Sequence, residues 1–191
     1  MARIALDIDS TLHDYWDLLR SIVNERYGVD LAYESQTDWG ITRLPQEHLR
    51  AAVMETHSDD NIAAAEPYPG AVETVTAWHD EGHWIHVTSH RAESCAPATA
   101  RWLAQVGIPY DDLYCSYDKV TRCVELGIDI LVDDSPVNLE GARAAGIVGA
   151  TIIHPWNAEL EGDEHVILAR DWYDLNERLK PRLERLQESA R

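Results

Sequence analysis

Arg3 to Leu6 form a short, largely apolar run that ends in two carboxylates one residue apart, Asp7 and Asp9. A run of this length reads as a strand buried on both faces of a parallel sheet. Placing carboxylates at the mouth of such a strand costs several kcal/mol unless they are paired or hold a metal. A plainer reading of the same residues is a strand end followed by a helix, with Asp9 or Ser10 as its N-cap. The remainder of the chain has to separate the two.

After Thr11 the apolar residues Tyr15, Leu18, Leu19, Ile22 and Val23 recur at helical spacing, and Gly28 supplies a stop. Val29 to Leu44 is irregular, Pro45 opens a second helix, and Ser58 to Glu66 reads as a loop. Pro67-Tyr68-Pro69-Gly70 makes a stiff turn. From there strands and helices alternate. Helices are predicted over 71–80, 96–106, 120–126, 139–145 and from about Asp171 onward, where Pro181 would bend the last one. Strands are predicted over 84–88, 112–115, 129–132 and 150–153. This alternation implies an α/β, three-layer Rossmann-like parallel sheet with helices on both faces. Residues 1–11 and 67–191 form the core on this reading, and 12–66 form a small helical cap inserted after the first strand.

Charge narrows the partners. The 34 acidic residues outnumber 16 basic ones, for a net charge of −18. That field repels nucleic-acid polymers and anionic membrane surfaces, and a phosphate site would need a local cation. Cys95, Cys115 and Cys123 form no Cys-x-x-Cys pair, so neither a zinc site nor a disulfide framework is signalled. With no long apolar stretch at its start, the chain reads as a cytoplasmic protein. A homodimer contact could come from a cap face or from the leucine-lined C-terminal helix.

Ligands of open α/β sheets bind at the carboxyl ends of the strands. Those ends carry Asp7 and Asp9, then Thr88-Ser89-His90-Arg91, then Lys119 after Tyr117-Asp118, then Asp133-Asp134 before Ser135-Pro136. Each group has a plain alternative as a helix start or a solvated surface residue. Together, several acidic side chains at one edge repel one another unless a divalent cation holds them. Mg²⁺ suits such a set because it keeps waters and takes a phosphate oxygen, and a lysine and hydroxyl would complete a phosphoryl cradle. His83 and His86 lack a third ligand at suitable spacing and read as structural.

The ordered set Asp7-Ile8-Asp9-Ser10-Thr11, Thr88, Lys119 and Asp133-Asp134 resembles the four motifs of the haloacid dehalogenase (HAD) superfamily of phosphohydrolases, with a C1-type cap. Glu66 to Glu73, Val87-Thr88-Ser89, Asp118-Lys119, Asp129 to Asp134 and His154-Pro155-Trp156-Asn157 are more narrowly similar to the 5′(3′)-deoxyribonucleotidases. The resemblance implies Asp7 as nucleophile and Asp9 as general acid and base. It implies Mg²⁺ held by Asp7, the Asp9 carbonyl and Asp133, with Asp134 and Thr11 standing behind them. Asp134 would orient Lys119 or a metal-bound water. Thr88, Ser89 and Lys119 would hold the phosphoryl group of a small phosphomonoester, with a nucleoside monophosphate as the leading substrate. Trp16 and Trp39 in the cap (Tyr33 is a third aromatic there), with His90 and Arg91 beside the phosphate site, are the candidate substrate contacts. Two features depart from the pattern: Ser10 stands where many relatives have Gly, and Phe is absent. A sugar-phosphate phosphatase and, from another class, a non-catalytic phospho-ligand module are the alternatives.

Overall fold

The computed structural model describes residues 1–189. Six strands form one parallel sheet in the order β3-β2-β1-β4-β5-β6. They are β1 (Arg3–Leu6), β2 (Trp84–Ser89), β3 (Asp112–Cys115), β4 (Ile130–Val132), β5 (Val148–Ile152) and β6 (Val166–Ala169). The helices are α1 (Tyr15–Tyr27), α2 (Gln46–Thr56), α3 (Asp59–Ala64), α4 (Ala71–Asp80), α5 (Ala96–Val106), α6 (Lys119–Glu125), α7 (Pro136–Ala144) and α8 (Trp172–Ser189).

Side chains alternate across a strand, and β1 divides accordingly. Ile4, Leu6 and Ile8 enter the larger core with Val75 and Trp78 of α4, Trp102 of α5 and Leu175 and Leu179 of α8. Ala5 faces the other layer, where Leu131 meets Cys123 of α6 and Ala142 of α7. Asp7 continues the Ala5 side past the end of the strand. Because β2 and β4 flank β1, the register Leu6↔Val87 and Leu6↔Val132 brings the ends of all three strands level. Chain order reverses across β1, which makes this the crevice of the sheet.

The segment between β1 and α4, read from the sequence as a cap, has α1 and α2 as its main helices. Asp14 caps α1 through its side chain, and Gly28 ends it in the left-handed region at φ 65°. Trp16, Leu19, Ile22, Val23, Leu31, Leu44 and Ala52 pack together, joined by one residue from the core side, Trp156. The two crossings into the cap run side by side, with an antiparallel bridge between His13 and Pro67.

Three elements differ from the sequence reading. Ser58 to Glu66 holds α3, capped by the Ser58 side chain with Asp59 and Asp60 in its first turn. Ile62 of that helix lies in the larger core with Trp102, and the Trp102 indole N–H donates to the Ala65 carbonyl (2.8 Å). The edge strand β6 was not foreseen. Its run Val166-Ile167-Leu168-Ala169 is apolar but short, only partly buried until Ala169, and follows a polar stretch. The leucine face of α8 is not free for a partner: Leu175, Leu179 and Leu183 are buried against the chain's own core. The α8 assignment runs unbroken through Pro181. His83 is structural, its Nδ1 accepting from the Ala2 amide (3.1 Å). His86 is fully buried 3.1 Å from Asp112, and burial pulls its pKa down to about 4. Among the described residues, no helix is long and apolar enough to cross a membrane.

Candidate active site

Lys119, the first residue of α6, is 1% exposed. Its Nζ donates to Asp7 Oδ1 (2.5 Å) and to Asp133 Oδ2 (2.8 Å). Asp133, just past β4, has both oxygens occupied: Oδ1 accepts from the Ser135 amide (2.9 Å), and Asn138 Nδ2 bridges Oδ1 and Oδ2 (3.0 and 3.1 Å). Asp134 makes no hydrogen bond or close ion pair with Lys119, one of the two roles the sequence reading offered for it, although the lysine's charge still acts on it. Its Oδ2 accepts from the Trp156 indole (3.1 Å), and Oδ1 has no partner among the described residues. Carboxylate oxygens of Asp7, Asp133 and Asp134 lie within 4.8 Å of one another.

Three buried carboxylates share one ammonium, leaving a formal excess of two negative charges. Burial and that excess together set the direction of the Asp7 and Asp134 pKa shifts. Burial, with Asp133 and Asp9 adding to it against the pull of Lys119, pushes Asp7 up to about 7. Burial and the charges of Asp7 and Asp133 raise Asp134 well above the carboxylate range. Although burial disfavours its charge, Lys119 is held firmly protonated by Asp133 and Asp7. A set of hard oxygen donors with this deficit of positive charge fits a divalent cation.

Asp9 is governed by different neighbours. The Arg91 guanidinium grips it twice, Nη2 to Oδ1 (2.6 Å) and Nε to Oδ2 (3.2 Å). His13 Nε2 reaches Oδ1 (3.0 Å), Ser89 Oγ donates to Oδ2 (3.3 Å), and His57 Nε2 from the cap lies 3.4 Å from Oδ2. Burial works against ionisation here, yet Arg91, His13 and His57 hold the Asp9 carboxyl well below its usual range. Arg91 is therefore not placed to meet substrate: it is 1% exposed and committed to Asp9 and to Thr99 Oγ1 (3.2 Å). Thr88 lies one residue beyond the Leu6↔Val87 pair, beside Asp7, fully buried, and its hydroxyl has no partner among the described residues. Such an orphaned donor is costly unless a ligand oxygen meets it. The Thr11 hydroxyl is likewise buried without a partner, while its carbonyl accepts from Trp172 (2.9 Å).

A cavity of about 440 Å³ opens above Asp7, with Asp9, Lys119, Asp133 and Asp134 at its floor. Trp16, Leu19, Trp39, Leu49 and Val53 of the cap line it, with Trp156 from the core side. Trp16 is buried and donates to the Leu31 carbonyl (2.9 Å), whereas Trp39 is 43% exposed at the mouth. Across from the cap, His90 stacks on Tyr117 at 5.9 Å, and burial followed by Lys119 lowers its pKa. The sequence reading placed Trp16, Trp39 and His90 here. It missed His57 and Asn138; Tyr117 was placed at the same sheet edge without a role, and Trp156 carried a signal as part of the His154 to Asn157 motif.

Comparison with known families resolves the identity. Residues 1–182 match the family described as 5′ nucleotidase, deoxy (Pyrimidine), cytosolic type C protein. The chain belongs to this nucleotidase family. A "Putative 5′(3′)-deoxyribonucleotidase" of Chlorobaculum tepidum is 26% identical over 189 residues, covering 93% of this chain and 89% of the relative. In architecture this nucleotidase is similar to a haloacid dehalogenase-like hydrolase of Streptococcus pneumoniae, with TM-score 0.64, 19% identity and coverage of 88% and 93% of the two chains. It is also similar to a mutant of CbbY from Rhodobacter sphaeroides solved with xylulose-1,5-bisphosphate, with TM-score 0.62, 17% identity and coverage of 92% and 96%. The fold is that of the HAD hydrolases, and the nucleotidase is a phosphomonoesterase on that fold.

Proposed function

We propose that this nucleotidase hydrolyses deoxynucleoside 5′-monophosphates with Mg²⁺ and a covalent aspartyl-phosphate on Asp7. The observation that supports it best is one cavity with Asp7 and Lys119 at its floor and Trp16 and Trp39 on its cap wall. The floor suits a phosphoryl group, and the wall suits a planar base.

Asp7 attacks phosphorus in line, and the P–O bond to the nucleoside 5′-oxygen breaks. Lys119 offsets the charge on the transferring oxygens, and the Thr88 hydroxyl, which has no partner of its own among the described residues, donates to them, while Ser89 stays on Asp9. Asp9, once released from Arg91 and protonated, delivers the proton to the departing alkoxide. It then takes a proton from the water that cleaves the aspartyl-phosphate, returning Asp7 and inorganic phosphate. Asp7, the Asp9 carbonyl and Asp134 would hold Mg²⁺, which screens the nucleophile from the phosphate. Asp134 takes this place in preference to Asp133, because both Asp133 oxygens are already engaged with Lys119, Ser135 and Asn138. A cytoplasmic setting belongs to the same proposal and accords with three unpaired cysteines.

Phosphate release from dUMP, dTMP and a panel of sugar phosphates tests the reading. Nucleotide turnover that Asp7→Asn abolishes is expected. Hydrolysis of sugar phosphates alone would overturn the substrate, and undiminished Mg²⁺-dependent release by Asp7→Asn would overturn the mechanism.

A further inference from the structure

Ser10 is the only non-glycine residue with positive φ (61°) among the described residues. It sits between Asp9 and a tight turn in which the amides of Thr11, Leu12 and His13 all reach the Ile8 carbonyl. A side chain in the left-handed region is strained, and such residues persist only where their surroundings fix them. The Ser10 amide donates to the His13 carbonyl within the turn (3.1 Å), while the brace on its own carbonyl comes from far along the chain. His154 Nε2 meets the Ser10 carbonyl at 2.8 Å, and His154 Nδ1 meets the Tyr33 hydroxyl at 2.7 Å.

A carbonyl only accepts, so Nε2 carries the hydrogen. In a neutral ring Nδ1 is then an acceptor, and Tyr33 must donate to it. Burial keeps the ring neutral, drawing its pKa down to about 4. The ring is 4% exposed and stacks on Trp156 at 4.5 Å with planes 2° apart, which fixes its tilt. Tyr33 belongs to the cap, His154 follows β5, and Ser10 belongs to the nucleophile turn.

We propose that His154 is a positioning residue, oriented by Tyr33, that pins the Ser10 peptide and so holds the turn carrying Asp7 and Asp9 in its reactive shape. The proposal rests on the reading of Asp7 as nucleophile, but not on the identity of the leaving nucleoside. It gives a role to the His154 of the His-Pro-Trp-Asn motif and explains how Ser is tolerated at position 10. Glycine there would need no brace.

The test uses His154→Phe, which keeps the stacked ring and removes both nitrogens, and His154→Gln, whose amide can again donate to Ser10. Both are made in the parent and in a Ser10→Gly background. Amide exchange of residues 10–13 and turnover of p-nitrophenyl phosphate are measured for each. In the parent, His154→Phe is expected to speed exchange in the turn and lower kcat, each by about tenfold, the factor that corresponds to one lost buried hydrogen bond. His154→Gln should recover most of both. In the Ser10→Gly background the same His154→Phe change should cost less than about threefold, because the turn no longer needs holding. Equal losses in both backgrounds would overturn the proposal, as would turn exchange that His154→Phe leaves at the parent rate. Because the exchange readout needs no substrate, a protein that failed to turn over nucleotides would sink the proposed function and leave this test standing.

Discussion

Replacing Lys119 by Met isolates the electrostatics of the site. The lysine is 1% exposed and contacts Asp7 and Asp133, with Asp134 as the third member of the cluster. Met fills similar volume, so the loss is one of charge. Breaking a buried ion pair from one side costs about 3–5 kcal/mol, because the partner charge is left uncompensated. For a domain of this size that corresponds to a fall in Tm of roughly 6–20 °C. The cost should depend on pH in a definite direction. Lys119 is the group that restrains the Asp7 pKa, so its removal moves that pKa further up from about 7. A carboxyl raised in the folded state favours folding below its unfolded pKa of 3.8, and that contribution fades as pH rises through the folded value. Because the parent itself loses the Asp7 contribution between 3.8 and about 7, Lys119→Met should fall away from the parent mainly above pH 7, with a larger deficit at pH 8 than at pH 5 and added Mg²⁺ restoring part of the loss. Thermal unfolding of the metal-free protein across that range, with and without Mg²⁺, is the assay. A deficit independent of pH, or one larger at pH 5 than at pH 8, would refute the reasoning.

Arg91→Leu removes the guanidinium that holds the Asp9 carboxyl ionised, so the pH profile of kcat on nucleotides should move to higher pH, while that on p-nitrophenyl phosphate, whose leaving group needs no proton, should move less. Steady-state kinetics on the two substrates across pH reads this, and equal shifts would count against a role through Asp9. Trp39→Ala should raise KM for nucleotides by roughly 5–150-fold, from about 1–3 kcal/mol of stacking, and leave Tm and p-nitrophenyl phosphate turnover close to the parent. An unchanged nucleotide KM would remove Trp39 from the base site. In the unsubstituted protein, Mg²⁺ should raise Tm more at pH 8 than at pH 5.5, since protons compete for the Asp7 and Asp134 oxygens; calorimetry at the two pH values decides it.

Much of the site was readable because its residues follow apolar runs whose meaning is fixed by the sheet. Asp7, Asp133 and Thr88 gain their positions from strand ends, and parallel register does the rest. Lys119 was readable only through the order of the motifs, since nothing local tells a buried lysine from a solvated one. Arg91 was misread for the complementary reason: its partner Asp9 is 82 residues away, and adjacency to Ser89 suggested substrate. The division of labour between Asp133 and Asp134 was also hidden, because Asn138 and Trp156, which decide it, come from a later helix and a later loop. Helix α3 lay under a polar sequence whose helical signal was one buried Ile62, and β6 is an edge strand whose four apolar residues stand alone between a polar stretch and the last helix.

Trp156 belongs to the core yet is 3% exposed among cap aromatics, with Trp16 at 5.1 Å and Tyr33 at 5.7 Å. Swinging the cap wide would strip those rings from it and expose a large apolar surface, at about 1.5–3 kcal/mol for this one side chain. That penalty alone keeps the fully opened molecule to less than about one in ten at rest. Any opening of the cap that admits substrate carries this cost, so Trp156 ties the width of the opening to the apolar surface it lays bare.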